Sequence, residues 1–247
     1  MNRLNTYSEI DGDAFDRLHG VPHALAEFSG GMQLVSEGER AQKAFIVEDG
    51  WAMRHRVLED GRRQILNFMI AGDLFDLQSF VGEKSDHTVE TITPVRLRIF
   101  DPSDFIAMLA THTDLALAMW WATLQEEGIL REQIVRNGRR TAAERIAHLL
   151  LELARRLQIA GQIDSYSFRF PLTQTVLADA LGLSNVHVSR SLKRLRERGL
   201  LDVRGGWALI LDPPALAAFA DFQPNYLHLD AAPSRLRLLN GLRRKIA

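Results

Sequence analysis

The stretch "LTQTVLADALGLSNVHVSRSLKRLRERGLL", residues 172–201, constrains the fold more than any other part of the chain. Thr173 and Ser184 are residues that cap helix N-termini, and Gly182 and Gly199 are residues that end helices. Between them the pattern reads as one short helix to about Leu181, a tight turn, and a second helix from Asn185 to about Arg198. Ala178 is small where two such helices must cross, and Gly182 allows the positive φ of a tight turn. Leu177, Leu181, Leu183 and Val188 supply a small shared core. "LLDVRGGWALIL" follows, two short strands about a Gly205-Gly206 turn. The expected unit is a winged helix-turn-helix.

The front of the chain keeps a different rhythm. Gly38, Gly50, Gly61, Gly72 and Gly82 recur at about the length of one strand plus one turn. "MQLV", "KAFIVE", "WAMRHRVL", "RQILNFMI" and "TVETITPVRLRIF" lie between or after them, rich in Val, Ile and Phe. That predicts an all-β sandwich or barrel. In the last run Val95, Leu97 and Ile99 are expected on a dry face, and Arg96 and Arg98 on a wet one.

The period then becomes helical. Asp101-Pro102 starts a short helix, and from about Thr113 to Asn137 a long one runs without proline. It carries Leu117, Trp120, Trp121, Leu124, Leu130 and Ile134, apolar on more than one side, which suits a helix that packs on its own domain and on a two-fold partner. Asn137-Gly138 is the expected hinge. "TAAERIAHLLLELARRLQ" forms a further helix. The expected organisation is a β-roll sensor-like domain with an N-terminal extension over 1–110 and a dimerisation helix over 111–137. A winged helix-turn-helix over 138–212 and a C-terminal extension over 213–247 follow. The fold class is α+β.

Charge gives the second unit a partner. The net charge of the chain is −1, but residues 1–137 carry 13 basic and 22 acidic side chains while residues 138–206 carry 12 and 6. A basic unit behind an acidic one points to a polyanion, here double-stranded DNA. A recognition helix presents its N-terminal residues to base edges in the major groove. Those are Asn185, Val186, His187, Ser189 and Arg190. Arg190 suits guanine, whose O6 and N7 a guanidinium bonds together. Thr173, Gln174, Lys193, Arg194 and Arg196 are assigned to phosphates.

In this order, β-roll, long helix and winged helix resemble the Crp/Fnr family of transcription regulators. The resemblance covers about residues 30–212. It is carried by "PLTQTVLADALGLSNVHVSRSLKRLRERGLL" and by "SEGERAQKAFIVEDGWAMRHRVLEDGRRQILNFMIAGDLF". It implies a homodimer on a palindromic site, with RNA polymerase as a further partner if the protein activates. It also implies a half-site related to TTGAT, since Ser189-Arg190 matches the oxygen-regulator branch. Val186 stands where the family commonly places a glutamate that reads cytosine.

The family's cyclic AMP cassette is degenerate here. Gly72-Asp73 matches its start, but Leu77 replaces a glutamate and Asp86-His87 replaces an Arg-Ser pair. A buried carboxylate at Asp86 facing a phosphate is expected to be repulsive. "EEGILREQ" also offers no Thr-Ser pair for a purine. The expectation is an effector other than cyclic AMP in the usual mode, an unidentified small molecule or none. Zero cysteines exclude an iron–sulfur cluster and disulfides. Haem is the remaining alternative, with His55 and His87 in the β-roll, although a lone histidine is more often structural. His19 and His23 are interrupted by Gly20 and Pro22, and Asp73, Asp76 and Asp86 read as turn residues, so no metal and no cofactor are expected. No nucleophile elbow, HExxH or Walker loop is present, so no enzyme is expected. A ligand-binding subunit without DNA function is the rival reading. No apolar run is long enough to span a membrane and no leader is visible, so a cytoplasmic location is expected. The C-terminal "PNYLHL" and the basic tail "RLRLLNGLRRKIA" are expected to pack on the winged helix or to touch DNA, or else to form a cap over the hairpin and a frayed terminus.

Overall fold

The computed structural model describes residues 20–227. Eight strands form the front unit: β1 (His23–Phe28), β2 (Gln33–Val35), β3 (Ala44–Asp49), β4 (Ala52–Val57), β5 (Arg63–Met69), β6 (Leu74–Phe75), β7 (Thr88–Thr91) and β8 (Val95–Phe100). They make two antiparallel sheets, ordered β1-β8-β3-β6 and β2-β7-β4-β5. Between the sheets lie Val35, Phe45, Val47, Met69, Phe75, Val89, Val95 and Leu97, with the Phe45 and Phe75 rings stacked at 4.9 Å. Gly50 is required at the β3–β4 turn. Its φ is +92°, and a Cβ there would sit 2.3 Å from the Pro94 carbonyl oxygen.

The outer face of the first sheet is covered by helices. Asp101 accepts from the Ser103 N–H and starts α1 (Pro102–Thr111), and α2 (Thr113–Arg139) follows. Ile46, Phe100, Phe105, Met108, Leu115 and Met119 form this second core. The expected wet face of β8 is therefore only partly wet. Arg98 lies on the same side as Phe100, is buried, and donates to Glu48 at 2.7 Å. A buried guanidinium needs such a partner.

α2 continues through Gly138 instead of breaking at it. One glycine costs a helix about 1 kcal/mol, too little to end 27 residues of it. The break falls at Arg140-Thr141, where the Glu144 carboxylate accepts from the Thr141 N–H at 2.8 Å and starts α3 (Ala142–Ile159).

Beyond α3 come β9 (Ser167–Arg169), α4 (Gln174–Leu181), α5 (Asn185–Glu197), β10 (Leu201–Arg204) and β11 (Trp207–Ile210), then α6 (Pro213–Ala220) and a 3-10 turn (Pro224–Leu227). The third sheet is ordered β10-β11-β9. Gly205 and Gly206, at φ +56° and +76°, make the two-residue wing turn between Arg204 and Trp207. The largest core holds α3, α4, α5 and the wing together with Met53, Ile65 and Phe68 of the second sheet and Trp51 and Ile70 beside its strands. The two units thus share one apolar cluster. The C-terminal segment packs on the winged unit and on α2. α6 lies on α3, and the 3-10 turn reaches α2, where Gln125 donates to the Leu227 carbonyl. The basic tail lies outside the described residues.

Candidate nucleic-acid interface

α4 and α5 are built as their sequence dictates. The Thr173 hydroxyl accepts from the Val176 N–H at 3.2 Å, and the Ser184 hydroxyl from the His187 N–H at 3.2 Å. Gly182 ends α4 at φ +62°. Its last carbonyls are taken by side chains: Leu181 O by Arg145, and Ala180 O by Asn137 and Gln64. Leu177, Ala178, Leu181, Val188 and Leu195 are buried between the helices and α3.

With Val188, Ser191 and Leu195 turned inward, α5 points the opposite face out. Asn185, Val186, His187, Ser189 and Arg190 are all exposed, Val186 to 55%. At 100° per residue, Val186, Arg190 and Lys193 form one stripe along the outer face. Lys193 stands 3.7 Å from Glu197 in an exposed pair that a phosphate could displace. Arg194 and Arg196 are exposed, as are Thr173 and Gln174 at the start of α4. Arg196 stands toward the wing. The Arg204 hydrogen bond, and less strongly the Arg196 charge, hold the Asp202 carboxyl below the usual carboxylate range. Arg204 bonds Asp202 at 2.6 Å, and Arg198 stacks over Phe219 at 5.2 Å, so neither is a free cation.

The long helix α2 also presents an apolar strip. Trp120, Leu124, Ile134 and Val135 are exposed, Trp120 to 65% and Ile134 to 73%. Leu130 is half-buried at its edge. Trp121 points the other way and packs into the core over the first sheet, because it is one residue, or about 100°, round from Trp120. The side chain of Leu117 lies outside what the structure describes.

The degenerate cassette does not form one site. Gly72, Asp73 and Leu77 line a cavity of about 30 Å³ with Asn67, Met69, Thr123, Glu126 and Arg156. That is room for a water or two. The Asp73 carboxylate accepts from the Ile70 N–H at 2.8 Å and from Arg156 at 2.6 Å. Asp86 and His87 do not line this cavity. The buried carboxylate expected at Asp86 is not there: its side chain is 89% exposed. It swings into water, which spares its desolvation, and holds Nδ1 of the buried His87 at 2.7 Å. Burial and the nearby Arg54 push the His87 pKa down. His55 is buried beside Glu90 and Arg63, and burial likewise lowers its pKa. Neither histidine lines the cavity. His19 lies outside the described residues. Among those described, no three His, Cys, Asp or Glu gather as metal ligands.

Sequence reasoning missed a buried ionic row on α3. His148, Glu152 and Arg156 recur every fourth residue among the otherwise apolar buried residues of the helix. That spacing is visible in "HLLLELARR", but its partners lie on three other segments.

Two family models match the chain, a Crp-like helix-turn-helix domain over residues 144–219 and a cyclic nucleotide-binding domain over residues 25–112. The nitrogen fixation regulation protein FixK of Rhizobium meliloti is 30% identical over 203 residues, which cover 81% of this chain and 89% of that protein. The chain belongs to the Crp/Fnr family of transcription regulators. It is a DNA-binding regulator of this type and not an enzyme. The transcriptional activator protein FnrL of Cereibacter sphaeroides is 29% identical over 185 residues, covering 72% of each chain. Among solved structures, FixK2 from Bradyrhizobium japonicum superposes with a TM-score of 0.71 at 28% identity, over 80% of this chain and 96% of that one. Among the described residues no helix is long and apolar enough to cross a membrane.

Proposed function

We propose that this regulator binds a palindromic DNA site as a homodimer joined along α2, with one α5 in each major-groove half-site. The observation that carries the reading is the division of α5: Val188, Ser191 and Leu195 buried, and Asn185, Val186, His187, Ser189 and Arg190 exposed on its N-terminal half. Arg190 reads a guanine, Val186 offers only apolar contact, and Lys193, Arg194, Thr173 and Gln174 meet phosphates. Arg196, turned toward the wing, is the weakest of the phosphate assignments. The exposed strip of Trp120, Leu124 and Ile134, edged by half-buried Leu130, is the dimer seam. Half-site centres then fall about one helical turn apart.

Cyclic AMP is not the effector in this reading. A nucleotide needs a pocket of roughly 300 Å³ or more, and the space beside Gly72 and Asp73 is about 30 Å³. Its carboxylate is also already paired. We assign no haem or metal. RNA polymerase is the further partner if the bound dimer activates, and the protein works in the cytoplasm.

The test is selection of bound sequences from a random duplex pool by dialysed protein, with native mass measured alongside. The expected result is a dimer and a two-fold symmetric motif. A monomer, or a pool with no enriched motif, defeats the reading.

A further inference from the structure

The buried row on α3 continues into both units of the chain. Asp73, in the turn after β5, bonds Arg156 at 2.6 Å, and Arg156 also donates to the Phe68 carbonyl of β5 at 2.8 Å. Arg156 stands 3.9 Å from Glu152 one turn back along α3. Glu152 accepts from Arg136 of α2 at 3.0 Å and from the Tyr226 hydroxyl at 2.9 Å. Arg136, Glu152 and Arg156 are at most 2% exposed, and Asp73 is 6% exposed. Two acids and two bases alternate, so the row is neutral as a whole. Removing one member leaves a charge without compensation in a site that excludes water.

The row ties the first helix of the DNA-binding unit to the β-roll, to α2 and to the C-terminal segment. Asp73 belongs to the β-roll, Glu152 and Arg156 to the first helix of the DNA-binding unit, Arg136 to α2, and Tyr226 to the C-terminal segment. A second, less buried contact supports the same arrangement, with Arg63 of β5 bonding Asp179 of α4 at 2.9 Å. In this arrangement α4 is against the β-roll while the outer face of α5 is open.

We propose that Asp73 is a positioning residue for DNA binding: through Arg156, Glu152 and Arg136 it holds the helix-turn-helix on the β-roll with the recognition face exposed. The inference rests on the DNA-binding reading above and adds its control. Asp73 and Arg156 line the same cavity as Gly72, so a ligand there that draws the Asp73 carboxylate away from Arg156 undoes this hold. Specific DNA binding therefore does not wait for a ligand there, and such a ligand weakens it.

The test uses the full chain and a palindrome selected by it. Asp73→Asn removes the charge but leaves an amide oxygen that can still accept from the Ile70 N–H. Its affinity should fall by roughly 5–150-fold, equally at all site variants, with native mass unchanged. A tether separates positioning from simple damage. The chain has no cysteine, so Arg63→Cys with Asp179→Cys can be joined by a short bis-maleimide. Joined, the otherwise wild-type protein should keep its affinity, and the joined Asp73→Asn protein should regain most of what it lost. Asp73→Asn binding like wild type overturns the proposal. So does a tether that abolishes binding in the wild-type background, or one that rescues nothing. Wild-type binding that appears only when cyclic AMP is added overturns the ligand-independent part. A wild-type protein that selects no site at all defeats the DNA-binding reading itself, and the proposal falls with it.

Discussion

Alanine in place of a mid-helix glycine normally stabilises, and at Gly128 the structure predicts the reverse. Gly128 lies in α2 where the C-terminal segment crosses it. A Cβ there would be 2.6 Å from the Tyr226 carbonyl oxygen. Backbone cannot give as a flexible side-chain end can, so the segment must withdraw. At stake are the complete burial of Leu227, the Gln125 bond to the Leu227 carbonyl, and the Tyr226 bond to Glu152. Burying a leucine contributes roughly 1.5–3 kcal/mol. A neutral hydrogen bond adds roughly 0.5–1.5 kcal/mol and one to a charged group roughly 1.5–3 kcal/mol. Partial withdrawal forfeits about half of these, against about 1 kcal/mol of improved helix propensity. Gly128→Ala should therefore lose about 1–3 kcal/mol, a fall in Tm of about 3–10 °C for a chain of this size. Gly138→Ala is the control: same helix, exposed, nothing within 4 Å of its Cβ. It should raise Tm slightly. Calorimetry of both variants decides the matter, and a Gly128→Ala protein that gains stability as Gly138→Ala does refutes the tight crossing of the C-terminal segment over α2.

Leu124→Asp places a carboxylate in the α2 strip of both protomers. The dimer should weaken by about 3–6 kcal/mol, read as a monomer by sedimentation, while helix content is kept. Lys193→Ala should weaken every DNA site alike and flatten the salt slope by about one charge per protomer, measured by titrating affinity against potassium chloride. Burial pushes the Asp76 carboxyl up from 3.8 to about 6. A raised carboxyl contributes stability that is complete below its unfolded pKa and lost as pH rises through 6, roughly 2 kcal/mol once solvent screening is allowed for. Asp76→Asn, which also suits the left-handed backbone there at φ +66°, should stabilise at pH 7.5 and give little at pH 4.5 in urea titrations.

The sequence was most legible where local rules act alone. Caps at Thr173 and Ser184, the turn at Gly182 and the wing turn at Gly205-Gly206 are short-range geometry, and all stand in the structure. It was less legible where tertiary packing outvotes local preference. Gly138 looked like a break, but the Thr141–Glu144 pair sets the boundary instead. Arg98 alternates with apolar neighbours and so reads as exposed, yet α1 and α2 cover its face. Trp120 and Trp121 are equivalent as composition, and only helix phase tells the exposed ring from the one packed on the core. Asp86 is exposed instead of buried, while the His87 ring beside it is the buried member of the pair. The Asp73–Arg156 pair joins residues 83 apart in sequence, and no local pattern announces it.

The central claim, that the outer face of α5 reads DNA, is tested most directly by repeating the pool selection with Arg190→Ala. Arg190 is exposed, so the fold should be untouched. The account predicts loss of preference at one guanine in each half-site, at about 1–3 kcal/mol per half-site, with the spacing of the palindrome kept. A selected motif identical to that of the wild type contradicts it.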